Sequence, residues 1–205
     1  MKRVIALLLA VMMLFSLTAC GEGEKESGED TAAQDNTTWT SSHFSISFPK
    51  SFEITYEAPD SDDGVILYVV DNDNTETQPY FSVTKFKTAD TPLRDVREID
   101  EEFGMSICNA SLSAVAAQLG LEESQMQPTL EGVSYHKYGQ LEGAKVDFNF
   151  LVTFTQEDVE YTNVMYCSYI TIIDNYYTYA LSFVSIADTI DYNFADVINS
   201  IECLD

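Results

Sequence analysis

The sequence predicts an α+β domain, an antiparallel β-sheet covered by helices. Three observations predict it. Apolar residues alternate with period two in eight short segments between residues 43 and 185. Two other segments, 92–119 and about 189–202, carry apolar residues at helical spacing. The order is strands, then a helix, then four strands, then a closing helix, the pattern of a layered α+β domain.

Each element has its own signal. Phe44, Ile46 and Phe48 share one face of a half-buried strand that ends at Pro49. Phe52, Ile54 and Tyr56 alternate again, Val65 to Val70 is densely apolar, and Tyr80 to Phe86 resumes as a strand. Asp90-Thr91-Pro92 reads as a helix start, with a capping side chain and proline at the first helical position. Leu93, Val96, Ile99, Phe103 and Ile107 follow at helical spacing. Leu112, Val115, Ala116 and Leu119 continue it past a break near Asn109, and Gly120 can end it. Residues 92–119 are therefore one kinked helix or two short ones. Strands are expected at about 132–140, 144–155, 161–173 and 176–185, with tight turns at Glu142-Gly143 and Asp174-Asn175. The strand around Val164 to Ile173 is apolar on both faces, so it is covered on both sides. Ile190, Phe194, Val197, Ile198 and Ile201 form one stripe of the closing helix, which should dock on the sheet.

This arrangement resembles the PsbP-like domain. The residues that carry the likeness are Phe44-Ser45-Ile46-Ser47-Phe48-Pro49, the mid-chain helix, the long meander and the closing Phe194…Ile198-Asn199-Ser200-Ile201. The likeness covers about residues 40–203. It implies an α/β/α sandwich, and a docking or assembly module in place of an enzyme.

The N-terminus says where the protein works. Met1-Lys2-Arg3 is basic, Val4 to Phe15 is an unbroken apolar run, and Ser16 to Ala19 leads up to Cys20. That is a secretory signal layout, with an apolar run too short to span a bilayer. Leu17-Thr18-Ala19-Cys20 resembles the bacterial lipobox. The likeness implies that Cys20 is the lipid-attachment residue, that it receives a diacylglyceryl group, and that it becomes the first residue after cleavage. Two acyl chains give stable anchoring where one does not. The expected organisation is a signal peptide at 1–19, a lipidated cysteine with a disordered acidic linker at 20–38, and the folded domain at 39–205. Gly21 to Thr38 holds almost nothing apolar larger than alanine, too little to offset the entropy of ordering.

Charge narrows the partners. Without residues 1–19 the chain keeps 8 basic residues against 34 acidic ones, a formal charge of −26. Nucleic acid is excluded, because its binding rests on Lys and Arg neutralising phosphates. The anionic field serves solubility, or favours cationic partners. With Cys20 acylated, Cys108, Cys167 and Cys203 remain, so at most one disulfide forms among them. No CxxC or Cys/His cluster offers a zinc site.

Candidate chemistry is sparse. His43 and His136 are the two histidines, and neither lies in a nucleophile motif. Asp60, Asp62 and Asp63 form one acidic loop, and Asp71, Asp73 and Glu76 the next, at opposite ends of one strand. Asp71-Asn72-Asp73-Asn74-Thr75 begins like a calcium loop but lacks the glycine and glutamate that complete one. Tyr161, Tyr166, Tyr169, Tyr176, Tyr177 and Tyr179 crowd the last hairpin. They pack under helices or form an aromatic face for a partner. No catalytic, metal or cofactor-binding residue is assigned, and no cofactor is expected. The expected function is a binding or assembly module on the extracytoplasmic face of a bacterial membrane, with a protein partner besides the membrane. The alternative is a small-ligand binder or enzyme using a pocket on the sheet.

Overall fold

The computed structural model describes residues 36–71, 73, 79–119, 121–156, 159–187 and 194–204. Cys20, the signal segment, Gly120 and Ile190 lie outside the described residues, as do Asn72, Asn74, Thr75 and Glu76 of the acidic loop.

Ten strands and two α-helices are present among the described residues. In chain order they are β1 (Asn36–Thr40), β2 (Phe44–Pro49), β3 (Phe52–Glu57), β4 (Gly64–Asp71), β5 (Tyr80–Lys87), α1 (Glu101–Leu119), β6 (Met126–Tyr138), β7 (Leu141–Gln156), β8 (Val159–Ile173), β9 (Tyr177–Ala187), α2 (Ala195–Asn199) and β10 (Glu202–Cys203). Seven strands form one sheet in the order β3-β4-β5-β9-β8-β7-β6. All its pairings are antiparallel. The chain leaves β5 in mid-sheet and runs through α1 to the far edge. It then meanders back through β6, β7 and β8 until β9 pairs with β5, Phe81 opposite Phe183. A second sheet of three strands, β1-β2-β10, stands apart.

Alternation along β7 sorts the two faces. Val146, Phe148, Phe150 and Val152 face α1 and meet Ile107, Cys108 and Val115 from it. A Cβ on Gly104 would sit 3.0 Å from Val133, so the helix lies close on β6. The opposite face is closed differently. Phe44, Ile46 and Phe48 of β2 cover Leu67, Phe81, Val83 and Leu181. Phe194, Val197, Ile198 and Ile201 are buried there too, so the predicted stripe does dock. The rings interlock at 5.4 Å between Phe48 and Phe81 and 5.3 Å between Phe183 and Phe194.

Several expectations are corrected. Only one face of the sheet carries a long helix. The other carries the small sheet and a five-residue helix, so the layering is not a full α/β/α sandwich. Residues 36–38, read as linker, belong to β1 and pair with Pro49, Phe48 and Ser47. The main helix does not start at Pro92. Asp95 caps a 3₁₀ turn first, accepting from Arg97 N–H at 2.8 Å while Glu98 accepts from Asp95 N–H at 3.1 Å. Asp100 then caps α1, accepting from Phe103 N–H at 2.9 Å. The Arg94 guanidinium donates to the carbonyls of Thr88 and Leu93, at 2.8 and 2.9 Å, and of Thr91, which ties the intervening loop. No break occurs at Asn109.

The β6–β7 turn is Gly139-Gln140, with Tyr138 opposite Leu141 and Gly139 at φ +64°. Glu142 and Gly143 lie inside β7. Gly143 is there for space, since a Cβ would come within 2.6 Å of the Tyr138 ring. The β8–β9 turn is where it was expected. The Asp174 carboxylate accepts from Tyr176 N–H at 2.6 Å and from Tyr177 N–H.

Candidate functional site

The offset between the two covering layers creates the site. α1 lies over β6 and β7, whereas the small sheet and α2 lie over β4, β5 and β9. The face of β6, β7 and β8 turned away from α1 is therefore only partly covered: Tyr138, Ile170 and Ile172 are buried on it, while Lys145, Tyr166 and Ser168 border a recess. A groove of about 530 Å³ runs along it, within the range of small-ligand sites. Phe194, Ala195, Ile198 and Asn199 of and beside α2 form one wall. The floor carries Tyr166 and Ser168 of β8, Phe183 and Ser185 of β9, and Lys145 of β7.

Strand register explains which groups converge. Lys145, Asp147 and Asn149 alternate with Val146, Phe148 and Phe150, so one face of β7 is polar where the other is core. Asp147 stands opposite Ser168, and Asn149 opposite Tyr166. The Lys145 ammonium donates to Asp147 Oδ2 at 2.8 Å, and the Ser168 hydroxyl donates to Oδ1 at 2.5 Å. Asn149 donates to Glu131 at 2.8 Å. Tyr138 underlies the same region. Its hydroxyl is buried and has no hydrogen-bond partner among the described residues. Burial, and then the nearby Asp147 charge, push its phenol up to about 12.

The residues singled out in the sequence are scattered. His136 reaches the groove, with Nε2 2.9 Å from Ser134 Oγ. His43 lies beside Tyr177, ring centroids 5.9 Å apart. The tyrosines of the last hairpin do not form one face. Tyr169 is buried under α1 and Tyr179 on the opposite face, Tyr176 protrudes in the turn, and Tyr166 lines the groove. Tyr177 donates to Asp62 at 3.2 Å and lies under the Lys85 ammonium, 3.9 Å from ring centre. Asp71 accepts from Asp73 N–H at 3.1 Å, an ordinary turn contact. Cys108, Cys167 and Cys203 are free thiols. Burial pushes Cys108 up to about 11 and Cys203 up to about 12, and raises Cys167 as well. A thiol held protonated is a poor nucleophile. Among the described residues no group of three His, Cys, Asp or Glu side chains could hold a metal ion, and no helix is long and apolar enough to cross a membrane.

A pocket on the sheet was expected only as the alternative, with no residue assigned to it. Its one legible signal was the strict polar alternation Lys145, Asp147, Asn149. The wall from α2 depends on a contact more than 25 residues distant along the chain from Ser168, which no local pattern announces.

No protein-family model and no curated protein matches the sequence. Solved structures do. The solution structure of cyanobacterial PsbP from Synechocystis sp. PCC 6803 superposes with a TM-score of 0.50 at 12% identity, covering 87% of this chain and 98% of that one. LpqN of Mycobacterium tuberculosis, described as involved in cell envelope biogenesis, gives a TM-score of 0.41 at 10% identity, covering 83% of this chain and 91% of that one. The antiparallel sheet, the mid-chain helix over one face and the agreement over nearly the whole length of the cyanobacterial protein show that this chain has a PsbP-like fold.

Proposed function

We propose that the chain is a bacterial lipoprotein, held on the extracytoplasmic face of the membrane by a lipid on Cys20, whose PsbP-like domain binds its ligand in the groove beside α2. The groove is the observation that carries the reading. It is concave, part apolar and part polar, and its polar groups converge from three strands. The lipid-anchor half rests on the basic start, the apolar run and Leu17-Thr18-Ala19-Cys20. Such a protein presents a site to the envelope space without crossing the membrane.

The groove also favours the small-ligand form of this reading over a flat assembly surface, because a flat docking face would not need a walled recess. A catalytic role finds less support. Ser134 and His136 are within hydrogen-bond reach, but among the described residues no carboxylate is hydrogen-bonded to the second imidazole nitrogen to orient it. Two variants test the proposal. Cys20→Ser should leave the membrane fraction after a high-salt wash; retention there sinks the anchor. Asn199→Trp should fill the groove and abolish ligand uptake with little change in melting temperature. Unchanged uptake would move the binding site elsewhere.

A further inference from the structure

The side chains of the groove select a class of ligand. The floor is built from interior strands, and β8 is paired on both sides, Ser168 standing between Asp147 and Phe183. An extended peptide laid across that floor finds no strand edge within it, the nearest edge being β6 at His136 to Tyr138. Recognition falls to side chains. Lys145 and Asp147 are paired at 2.8 Å, so their charges offset each other locally. The ammonium keeps donors beyond the one given to Asp147, and the carboxylate keeps acceptor positions beyond those used by Lys145 and Ser168. Donor and acceptor capacity thus stand side by side with little net charge. Tyr166, 37% exposed, offers an aromatic surface next to them. Tyr138, 3% exposed, lies beneath the groove, its buried hydroxyl without a hydrogen-bond partner among the described residues.

Without residues 1–19 the formal charge is −26, a net field that disfavours anionic ligands and draws cationic ones to the surface at large more than to this recess, which Lys137 and Lys145 line. We infer that the groove binds a neutral saccharide. Sugar hydroxyls donate and accept at once, which suits the Lys145–Asp147–Ser168 cluster, and the apolar face of a pyranose ring suits Tyr166. This inference rests on the groove being the binding site.

The test uses the full lipidated chain in a polyoxyethylene detergent, so that no sugar headgroup competes. It is titrated with neutral oligosaccharides of chitin, cellulose and starch, and in parallel with a library of uncharged peptides. At least one saccharide should bind saturably. Tyr166→Ala should weaken that binding roughly tenfold or more, the scale of a lost aromatic contact together with its buried area. Asp147→Asn should weaken it as well, while Tyr56→Ala, on exposed β3, should leave it unchanged. Failure of every saccharide overturns the inference. Peptide binding that Tyr166→Ala abolishes keeps the groove as the site and removes the saccharide. Saccharide binding indifferent both to Tyr166→Ala, in the groove, and to Asp147→Asn, which holds the groove's Lys145 and Ser168, removes the groove reading itself.

Discussion

The two faces of the seven-stranded sheet are closed in contrasting ways. Over β6 and β7 a single continuous helix, α1, presents aliphatic residues and Cys108 to the strands that follow it directly in sequence. Over β4, β5 and β9 the cover is aromatic and assembled from both ends of the chain. β2 comes from the start of the domain, and α2 and β10 come from its end. Ser200 clips them together, donating to Ser47 C=O at 2.9 Å and accepting from Ser47 N–H at 2.8 Å. The first face closes through contacts that are short in sequence, and the second needs contacts more than 150 residues apart. Closing such a loop is entropically costly and slow. The difference teaches that the second face completes the molecule only when the whole chain is present, and that the groove, whose wall is α2, depends on it.

Breaking the aromatic cover should have the largest effect. Phe194→Ala removes a ring that meets both Phe52 and Phe183. It should cost roughly 3–5 kcal/mol, the range of a buried phenylalanine, against a domain total of about 5–15 kcal/mol. Asp196→Ala on the same short helix should change little. Equal small losses in urea denaturation would show that the second face is peripheral.

Gly143→Ala sharpens the same comparison, because its Cβ would meet the Tyr138 ring at 2.6 Å and Ile172 at 3.0 Å on the aromatic side. About 1–3 kcal/mol of overpacking is expected, with an altered near-ultraviolet tyrosine signal. A neutral result would mean that Tyr138 swings away freely. On the helical side, Asp100→Ala removes the cap of α1 and should cost about 0.5–2 kcal/mol, with amide exchange rising in the first turn of that helix and not in β2. A uniform rise across both faces would show that the two layers unfold as one unit.

Alkali should produce the most gradual effect. Folding holds the Cys108 thiol at about 11 on the helical face, against an ordinary 9.0. On the aromatic face it holds Cys203 at about 12 against 9.0, and Tyr138 at about 12 against 10.0. Desolvation is the first cause for all three. Each group is protonated in the folded state where the unfolded chain has begun to ionise, so the unfolded state binds fewer protons and stability falls as pH rises. The contribution is whole below about pH 9 and is lost as pH rises from there to about 12. The urea midpoint should be flat in this respect near neutrality and decline above pH 9. Cys108→Ala should reduce the early part of that decline. An increase in the midpoint with alkali would reverse the sign of the argument.

Much of the aromatic face was legible because its residues alternate or recur in tight patterns. Phe44, Ile46 and Phe48 announce a strand, and Phe194, Val197, Ile198 and Ile201 announce a docked stripe. What escaped was set by space and by distant partners. Gly139 and Gly143 look alike in sequence. One supplies a left-handed φ and the other supplies room for Tyr138, which only the folded neighbours distinguish. The start of α1 was misplaced because Asp90-Thr91-Pro92 and Asp100-Glu101-Glu102 are competing start signals, and Arg94 fastens the chain between them to backbone carbonyls. β10 is two residues long and takes its strand geometry wholly from β2. The polar half of the groove could be read from the alternation along β7. Its apolar half could not, because that wall arrives from the far end of the chain.

β1 has a mechanical consequence. Every covalent path from Cys20 to the domain passes through its five residues. If Cys20 is anchored as proposed, tension along the chain is met, among the described residues, by one short strand at the margin of the small sheet, held by its ladder to β2, by Trp39 buried beneath it, and by the indole N–H donated to Glu57 at 3.0 Å. The remainder of the aromatic core lies behind β2 and is shielded until that strand peels. Trp39 is the sole tryptophan of the chain, so its emission reports directly on whether a pull on the N-terminal side has begun to draw the first strand away.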